Sequence, residues 1–267
     1  MSVHPTSMAI DMRASPPSGG DDFLTGGAGA DTIDGLAGND SIYGARGDDR
    51  LVGNSGNDYL QDGAIGFEDT ASDSDTMFGG DGDDTIASYQ GAHFQDIDLI
   101  YGGAGNDLIQ LGGAQTDDRA DGGTGTDTFQ LQFSDSLADN VFAVLNNTGF
   151  SVVLGGVQTV FVSGMERVGF STGSGDDSLG GGALGDTFRL HGGFDTVRAM
   201  GGDDVVSVYL RDATSVLQTL TLDGGTGNDV LDWGVQSGLA DNHVFNLQSG
   251  VFTRGVCRWG RSPGSKR

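Results

Sequence analysis

Residues 26–61 read GGAGADTID (26–34), GLAGNDSIY (35–43), GARGDDRLV (44–52) and GNSGNDYLQ (53–61), four nonapeptides in one unbroken register. A weaker copy, PSGGDDFLT (17–25), extends the register upstream. Position six of the five units is Asp22, Asp31, Asp40, Asp49 and Asp58, and position eight is Leu24, Ile33, Ile42, Leu51 and Leu60. A short period kept over five units is the mark of a repeat architecture, in which each unit buries its apolar residue only by stacking on its neighbours.

The pattern returns further along. GGDGDDTIA (79–87), GGAGNDLIQ (102–110) and GGTGTDTFQ (122–130) carry Asp84, Asp107 and Asp127, with degenerate units around Asp75, Asp98 and Asp118. Units starting at 172, 181, 190 and 199 are again gapless and place Asp177, Asp186, Asp195 and Asp204 at position six, although Leu184 stands where one of them should have glycine. GGTGNDVLD (224–232) adds Asp229.

Each position has a chemical reason. Glycines at positions one, two and four let the backbone turn tightly and present carbonyl oxygens inside the turn. Aspartate at six adds a carboxylate, and a set of hard oxygen donors selects calcium over softer metals. Positions seven to nine suffice for a very short strand with position eight pointing inward. Two nonapeptides then make one flattened coil of about eighteen residues, so aspartates eighteen apart stack at about the inter-strand spacing of 4.8 Å. Asp22, Asp40 and Asp58 are expected along one edge, and Asp31 and Asp49 along the other.

Two carboxylates about 5 Å apart repel by roughly 3 kcal/mol at an effective dielectric of about 20. Burying one Leu or Ile returns about 1.5 to 3 kcal/mol, against roughly 9 to 18 for ordering nine backbones. Folding is therefore expected to depend on the bound ion.

Composition agrees. The 267 residues include 49 glycines, 38 acidic and 13 basic side chains, for a formal charge of −25, which repels nucleic acid and attracts cations. Such charge with few aromatics also describes disordered chains, and the strict register argues against that reading. One cysteine, Cys257, excludes an internal disulfide framework, and His4, His93, His191 and His243 make no zinc-type cluster. No cleavable secretory signal opens the chain and no run of about 18 apolar residues occurs, so no membrane insertion is expected.

GGAGADTID, GGAGNDLIQ and GGTGNDVLD resemble the GGxGxDxUx nonapeptides of RTX (hemolysin-type) calcium-binding proteins. The resemblance implies an all-β fold, a right-handed parallel β-roll in two or three blocks with irregular strand-rich connecting segments. It implies several calcium ions between successive turns, held by turn carbonyls and by Asp22, Asp31, Asp40, Asp49, Asp58, Asp84, Asp107, Asp127, Asp177, Asp186, Asp195, Asp204 and Asp229; Asp75, Asp98 and Asp118 belong to degenerate units. It further implies a secreted or cell-surface bacterial protein exported by type I secretion, with a structural or adhesive role and with cell-surface or extracellular matrix components as partners. The alternative is a scaffold of the kind found C-terminal to a secreted protease, lipase or epimerase whose catalytic domain is absent from this chain.

The blocks divide the chain into an N-terminal segment (1–16), repeat blocks at 17–61, 62–130 and 172–207, a strand-rich connector (131–171), a second strand-rich segment (208–253) holding the repeat at 224–232, and a basic tail (254–267). DGGTGTDTFQLQFSDSLADN (121–140) realigns with DGGTGNDVLDWGVQSGLADN (223–242) at an offset of 102, so a second module of about that length begins near the end. The tail holds five basic residues, the only lysine and the only cysteine. A truncated or frame-shifted reading frame is the expectation for it, with an adapted basic tail as the alternative.

No enzyme is expected. Gly169-Phe170-Ser171-Thr172-Gly173 matches a G-x-S-x-G nucleophile elbow in letters, but a nonapeptide run follows it in place of a helix. Adjacent acids such as Asp48-Asp49, Asp83-Asp84 and Asp203-Asp204 suggest paired catalytic carboxylates, yet the register explains them as a polar position five beside the ligand at six. Phe23, Tyr43 and Tyr59 fall on outer faces, where solvated surface is the simpler reading than contact with sugar. A flat outward row of threonines, as ice binding would need, is missing, because position seven reads Phe23, Thr32, Ser41, Arg50 and Tyr59.

Overall fold

An apolar residue flanked by two polar ones, with a glycine-rich turn on either side, has one way to be satisfied: a short strand with its middle residue turned inward. The computed structural model, which describes residues 16–63, 73–88, 97–112, 117–133, 140–144, 149–210, 219–235, 244–247 and 251–254, repeats that solution along the chain. His4, His93, His243, Cys257 and the tail beyond 254 lie outside the described residues. Among those described, every regular element is a strand.

In chain order the strands are β1 (Phe23–Thr25), β2 (Thr32–Asp34), β3 (Ser41–Tyr43), β4 (Arg50–Ser55), β5 (Tyr59–Gln61), β6 (Thr76–Asp81), β7 (Thr85–Ser88), β8 (Leu99–Ala104), β9 (Leu108–Gly112), β10 (Asp118–Thr124), β11 (Thr128–Gln132) and β12 (Val141–Val144). They continue as β13 (Phe150–Leu154), β14 (Val157–Ser163), β15 (Arg167–Ser171), β16 (Ser178–Gly180), β17 (Thr187–Leu190), β18 (Thr196–Arg198), β19 (Val205–Leu210), β20 (Thr219–Asp223), β21 (Asn228–Val235), β22 (Val244–Leu247) and β23 (Val251–Arg254).

The chain forms two compact units, one of residues up to Leu131 with Gln158–Met165, the other of Gln132–Val157 with Glu166 onward. In the first unit successive strands alternate between two sheets, β1-β3-β5-β7-β9-β11 and β2-β4-β6-β8-β10-β14. Pairing is parallel and initially offset by eighteen residues, as in Leu24↔Ile42↔Leu60 and Ile33↔Leu51. Insertions lengthen the coil without breaking the register, since Leu60 pairs with Ile86, Ile86 with Ile109, Leu51 with Met77, and Met77 with Ile100. Alternation also holds in the second unit, with β15-β17-β19-β21-β23 in one sheet and β13-β12-β16-β18-β20-β22 in the other. There β12 and β13 pair antiparallel, within the stretch 131–171 that separates two repeat blocks in the sequence.

Position eight makes the core: Ile42, Leu51, Leu60, Met77, Ile86, Ile109 and Phe129 in the first unit and Phe188 and Val197 in the second are wholly buried. Each coil adds two such side chains, about 3 to 6 kcal/mol of apolar burial, which matches the need for many stacked copies. The outer faces carry ladders of their own. Phe23, Tyr43 and Tyr59 follow one another at ring separations of 5.4 and 5.7 Å. On the other sheet, Arg50 lies 4.9 Å over Phe78, which stacks on Tyr101 at 5.0 Å. Such cross-strand pairs tie neighbouring coils together from outside.

The turns bring backbone against backbone. Gly82, at position four of its unit, has φ +134°, and a Cβ there would meet the carbonyl of Gly56 in the preceding coil. Gly82→Ala therefore combines backbone strain with a clash that no side chain can relieve. It is expected to cost about 2 kcal/mol or more, read as a lowered thermal midpoint in saturating calcium, whereas Gly19→Ala, in open space, is expected to leave the midpoint nearly unchanged.

Candidate metal centre

Every turn ends on its aspartate, and the strand that follows holds that residue at the same height in each coil. In the first unit one column runs Asp22, Asp40, Asp58, Asp84, Asp107, Asp127: each N–H donates to the Oδ1 of the next, at 2.8 to 2.9 Å. The other column runs Asp31, Asp49, Asp75, Asp98, Asp118, with the same bonds at 2.7 to 3.0 Å. The second unit contains Asp177 with Asp195, and Asp186 with Asp204 and Asp229.

Asp75, Asp98 and Asp118 thus stand in line with residues of clean repeats. Their spacings of 26, 23 and 20 residues hide them from a search at eighteen. The available signal was the apolar residue two places on, at Met77, Ile100 and Ala120, all buried.

Position five is not merely tolerant of polar residues. Asn57 N–H donates to Asn39 Oδ1, Asp83 N–H to Asn57 Oδ1, and Asn106 N–H to Asp83 Oδ1, at 2.7 to 2.9 Å. These bonds run in the opposite direction to those of position six, so the two ladders lock adjacent coils from both sides. That explains the acid pairs at Asp83-Asp84 and Asp203-Asp204 as structure. Ser171 lies within β15, not on a strand-to-helix turn, and its carbonyl accepts the Phe133 N–H.

While one oxygen of the aspartate serves the ladder, the other is left over. Oδ2 of Asp40, Asp49, Asp58, Asp84, Asp107 and Asp195 is buried and accepts no hydrogen bond. Beside it, in the clean repeats, is a glycine that must be glycine. A Cβ on Gly79 would meet Asp84 Oδ2 and, at 2.6 Å, the Gly102 carbonyl; one on Gly44 would meet Asp49 Oδ2 and the Asp62 carbonyl, both at 2.6 Å. Each turn therefore brings a carboxylate oxygen and a carbonyl oxygen of the next coil to the same face of a residue without a side chain.

Burial is the main force on these carboxyls, with neighbouring acids adding to it and the ladder N–H opposing it. It pushes Asp49, Asp84 and Asp204 up to about 7, Asp107 to about 6, Asp195 to about 8 and Asp75 to about 9, and it raises Asp40 and Asp58. Desolvation rather than mutual repulsion is thus the larger obstacle to charging the columns.

Compared with known families, the chain matches the model of the RTX calcium-binding nonapeptide repeat, built on four copies, over 18–51, 43–64, 69–92, 95–115, 180–208 and 221–232, together about half of its length. The chain belongs to this RTX family. No curated protein matches it.

The residues fit the ion that RTX repeats imply. A buried carboxylate oxygen without a proton donor, next to a carbonyl oxygen, asks for a positive charge that binds oxygen, and calcium supplies it. Among the described residues no three His, Cys, Asp or Glu side chains converge on one point, so any RTX site here draws on main-chain carbonyls for the rest of its ligands. Neutralising the carboxylate by a cation removes the desolvation penalty that burial imposes, and it does so in every coil that has an open turn.

The thirteen candidate ligands are not alike. Asp22, Asp31 and Asp186 turn Oδ2 back to the N–H of position two in their own unit, Ser18, Gly27 and Gly182, each at 2.6 Å. Asp22 and Asp31 belong to the first coil of the first unit. Asp127, Asp177 and Asp229 are buried at the same height as the others, and Asp177 has Thr172 at position one in place of glycine.

Proposed function

We propose that this chain is a calcium-folded module, structural or adhesive in role, of a secreted or cell-surface bacterial protein. The single observation that carries it is the column of buried, unpartnered Oδ2 atoms, Asp40, Asp58, Asp84 and Asp107, each beside a carbonyl oxygen of the next coil. A polar atom so placed costs about 1 to 3 kcal/mol, repeated in successive coils, unless a cation occupies the space. Calcium then acts as a part of the fold and not as an accessory to it. Affinity in the 10⁻⁴ to 10⁻³ M range, roughly that of extracellular modules, suits an environment rich in calcium outside the cell.

Support for the extracellular setting comes from the RTX family and from the charge of −25. Among the described residues no helix is long and apolar enough to cross a membrane.

Equilibrium dialysis tests the reading directly. The chain is expected to bind calcium in the presence of an equal concentration of magnesium, because magnesium demands a tighter octahedral set and holds its water. Asp40→Ala, in the middle of a column, is expected to raise the calcium midpoint of folding several-fold, whereas Asp232→Ala, exposed on β21, leaves it in place. Equal binding of the two metals, or equal midpoints for the two variants, would refute the proposal.

A further inference from the structure

We infer that the turns do not all take calcium, and that Asp98 and Asp186 sit in turns closed to it by their own neighbours. The inference rests on the calcium reading above and concerns where the ions go.

An open turn is seen at Asp84. Oδ1 accepts the Asp58 N–H at 2.8 Å, and Oδ2 is buried without a partner, facing Gly79 and the Gly102 carbonyl. Position four is Gly82 at φ +134°. Asp107, with Gly102 and Gly105, repeats the arrangement one coil further.

Asp98 belongs to the opposite column and differs in one respect. Its Oδ1 accepts the Asp75 N–H at 2.9 Å, but its Oδ2 accepts the hydroxyl of Ser88 at 2.8 Å. Ser88 follows the 79–87 unit at the place where a clean repeat would begin with glycine. Both residues are buried, at 1% and 4% exposure. A serine thus stands where glycine stands in the clean repeats, and its proton meets the oxygen that would otherwise face a metal.

At Asp186 the same end is reached through the backbone. Oδ1 accepts the Val168 N–H at 2.7 Å and Oδ2 the Gly182 N–H at 2.6 Å. The unit has Leu184 at position four, which keeps an ordinary negative φ. The same bond closes Asp22 and Asp31, whose position four is glycine (Gly20 and Gly29) but likewise without a positive φ, so it is the turn's backbone, folding its position-two N–H onto the carboxylate, that closes the site. The rule is one of competition: an oxygen already holding a short protein hydrogen bond gains less from an ion and must give up that bond to bind it.

The test is calcium bound per full-length chain, measured by equilibrium dialysis with elemental analysis. Asp84→Asn is expected to lower it, and Asp98→Asn to leave it at the parent value. Asp107→Asn replaces Asp84→Asn should that variant fail to show the parent β signal in saturating calcium. Asp186→Asn is likewise expected to leave it at the parent value. Loss of calcium in Asp98→Asn equal to that in Asp84→Asn overturns the assignment of Asp98, and the same loss in Asp186→Asn overturns that of Asp186. A parent chain that binds no calcium overturns the underlying calcium reading instead.

Discussion

Excess chelator is expected to abolish the β-sheet circular dichroism of the chain, and return of calcium, but not of magnesium, to restore it. Scattering should show the radius of gyration rising toward the roughly 57 Å of an unfolded chain of this length. The argument is one of magnitudes. A coil contributes two buried apolar side chains, about 3 to 6 kcal/mol, and ladder hydrogen bonds worth about 1 kcal/mol each. Against this stand about 1 to 2 kcal/mol of backbone entropy for each of its residues and two carboxyls whose ionised form burial disfavours. Without an ion the balance falls on the unfolded side, and failure of one coil removes the template for the next, so loss should be steep in calcium concentration. Retention of the full signal and a compact radius in chelator at pH 7.5 would contradict calcium-coupled folding.

Acid is expected to act as a partial substitute for calcium. The folded-state values of Asp49, Asp84, Asp107, Asp195 and Asp75 lie between about 6 and 9, above the 3.8 of an ordinary aspartate. A group whose value is raised by folding stabilises the fold when protonated. That contribution is complete below about 4 and is lost as pH rises through about 6 to 9. In chelator, then, β structure should increase as pH falls from 8 to 5. With calcium present the sign reverses, because the ion requires the charged carboxylates: the calcium midpoint should rise as pH falls over the same range. Titrations at pH 5, 6.5 and 8 check both limbs. A calcium-free signal that declines toward acid, or a calcium midpoint indifferent to pH, would show that these carboxyls do not control folding.

Much of this molecule is legible in its sequence. The five gapless units from 17 to 61 define strand length, the inward position and the two aspartate columns, and β1 to β5 follow that register residue by residue. Asp75, Asp98 and Asp118 were harder to read because insertions separate them from their partners, and a period search sees sequence distance where the ladder sees spatial height. The role of position five was hidden for another reason. Asp, Asn and Ser look like generic turn residues, and only the adjacent coil shows that their oxygens receive its N–H groups.

What the chain dictates by itself is therefore the repeat: glycine where the backbone must turn or touch, aspartate where oxygen is presented, and an apolar residue where the strand faces in. These are local steric and hydrophobic demands, satisfied within nine residues. What tertiary structure alone decides is the state of each aspartate. Whether Oδ2 meets no donor, as at Asp84, a hydroxyl, as at Asp98, or a backbone N–H, as at Asp186, depends on what the turn and the coil beside it place there, because a carboxylate's second oxygen is claimed by the nearest donor in space.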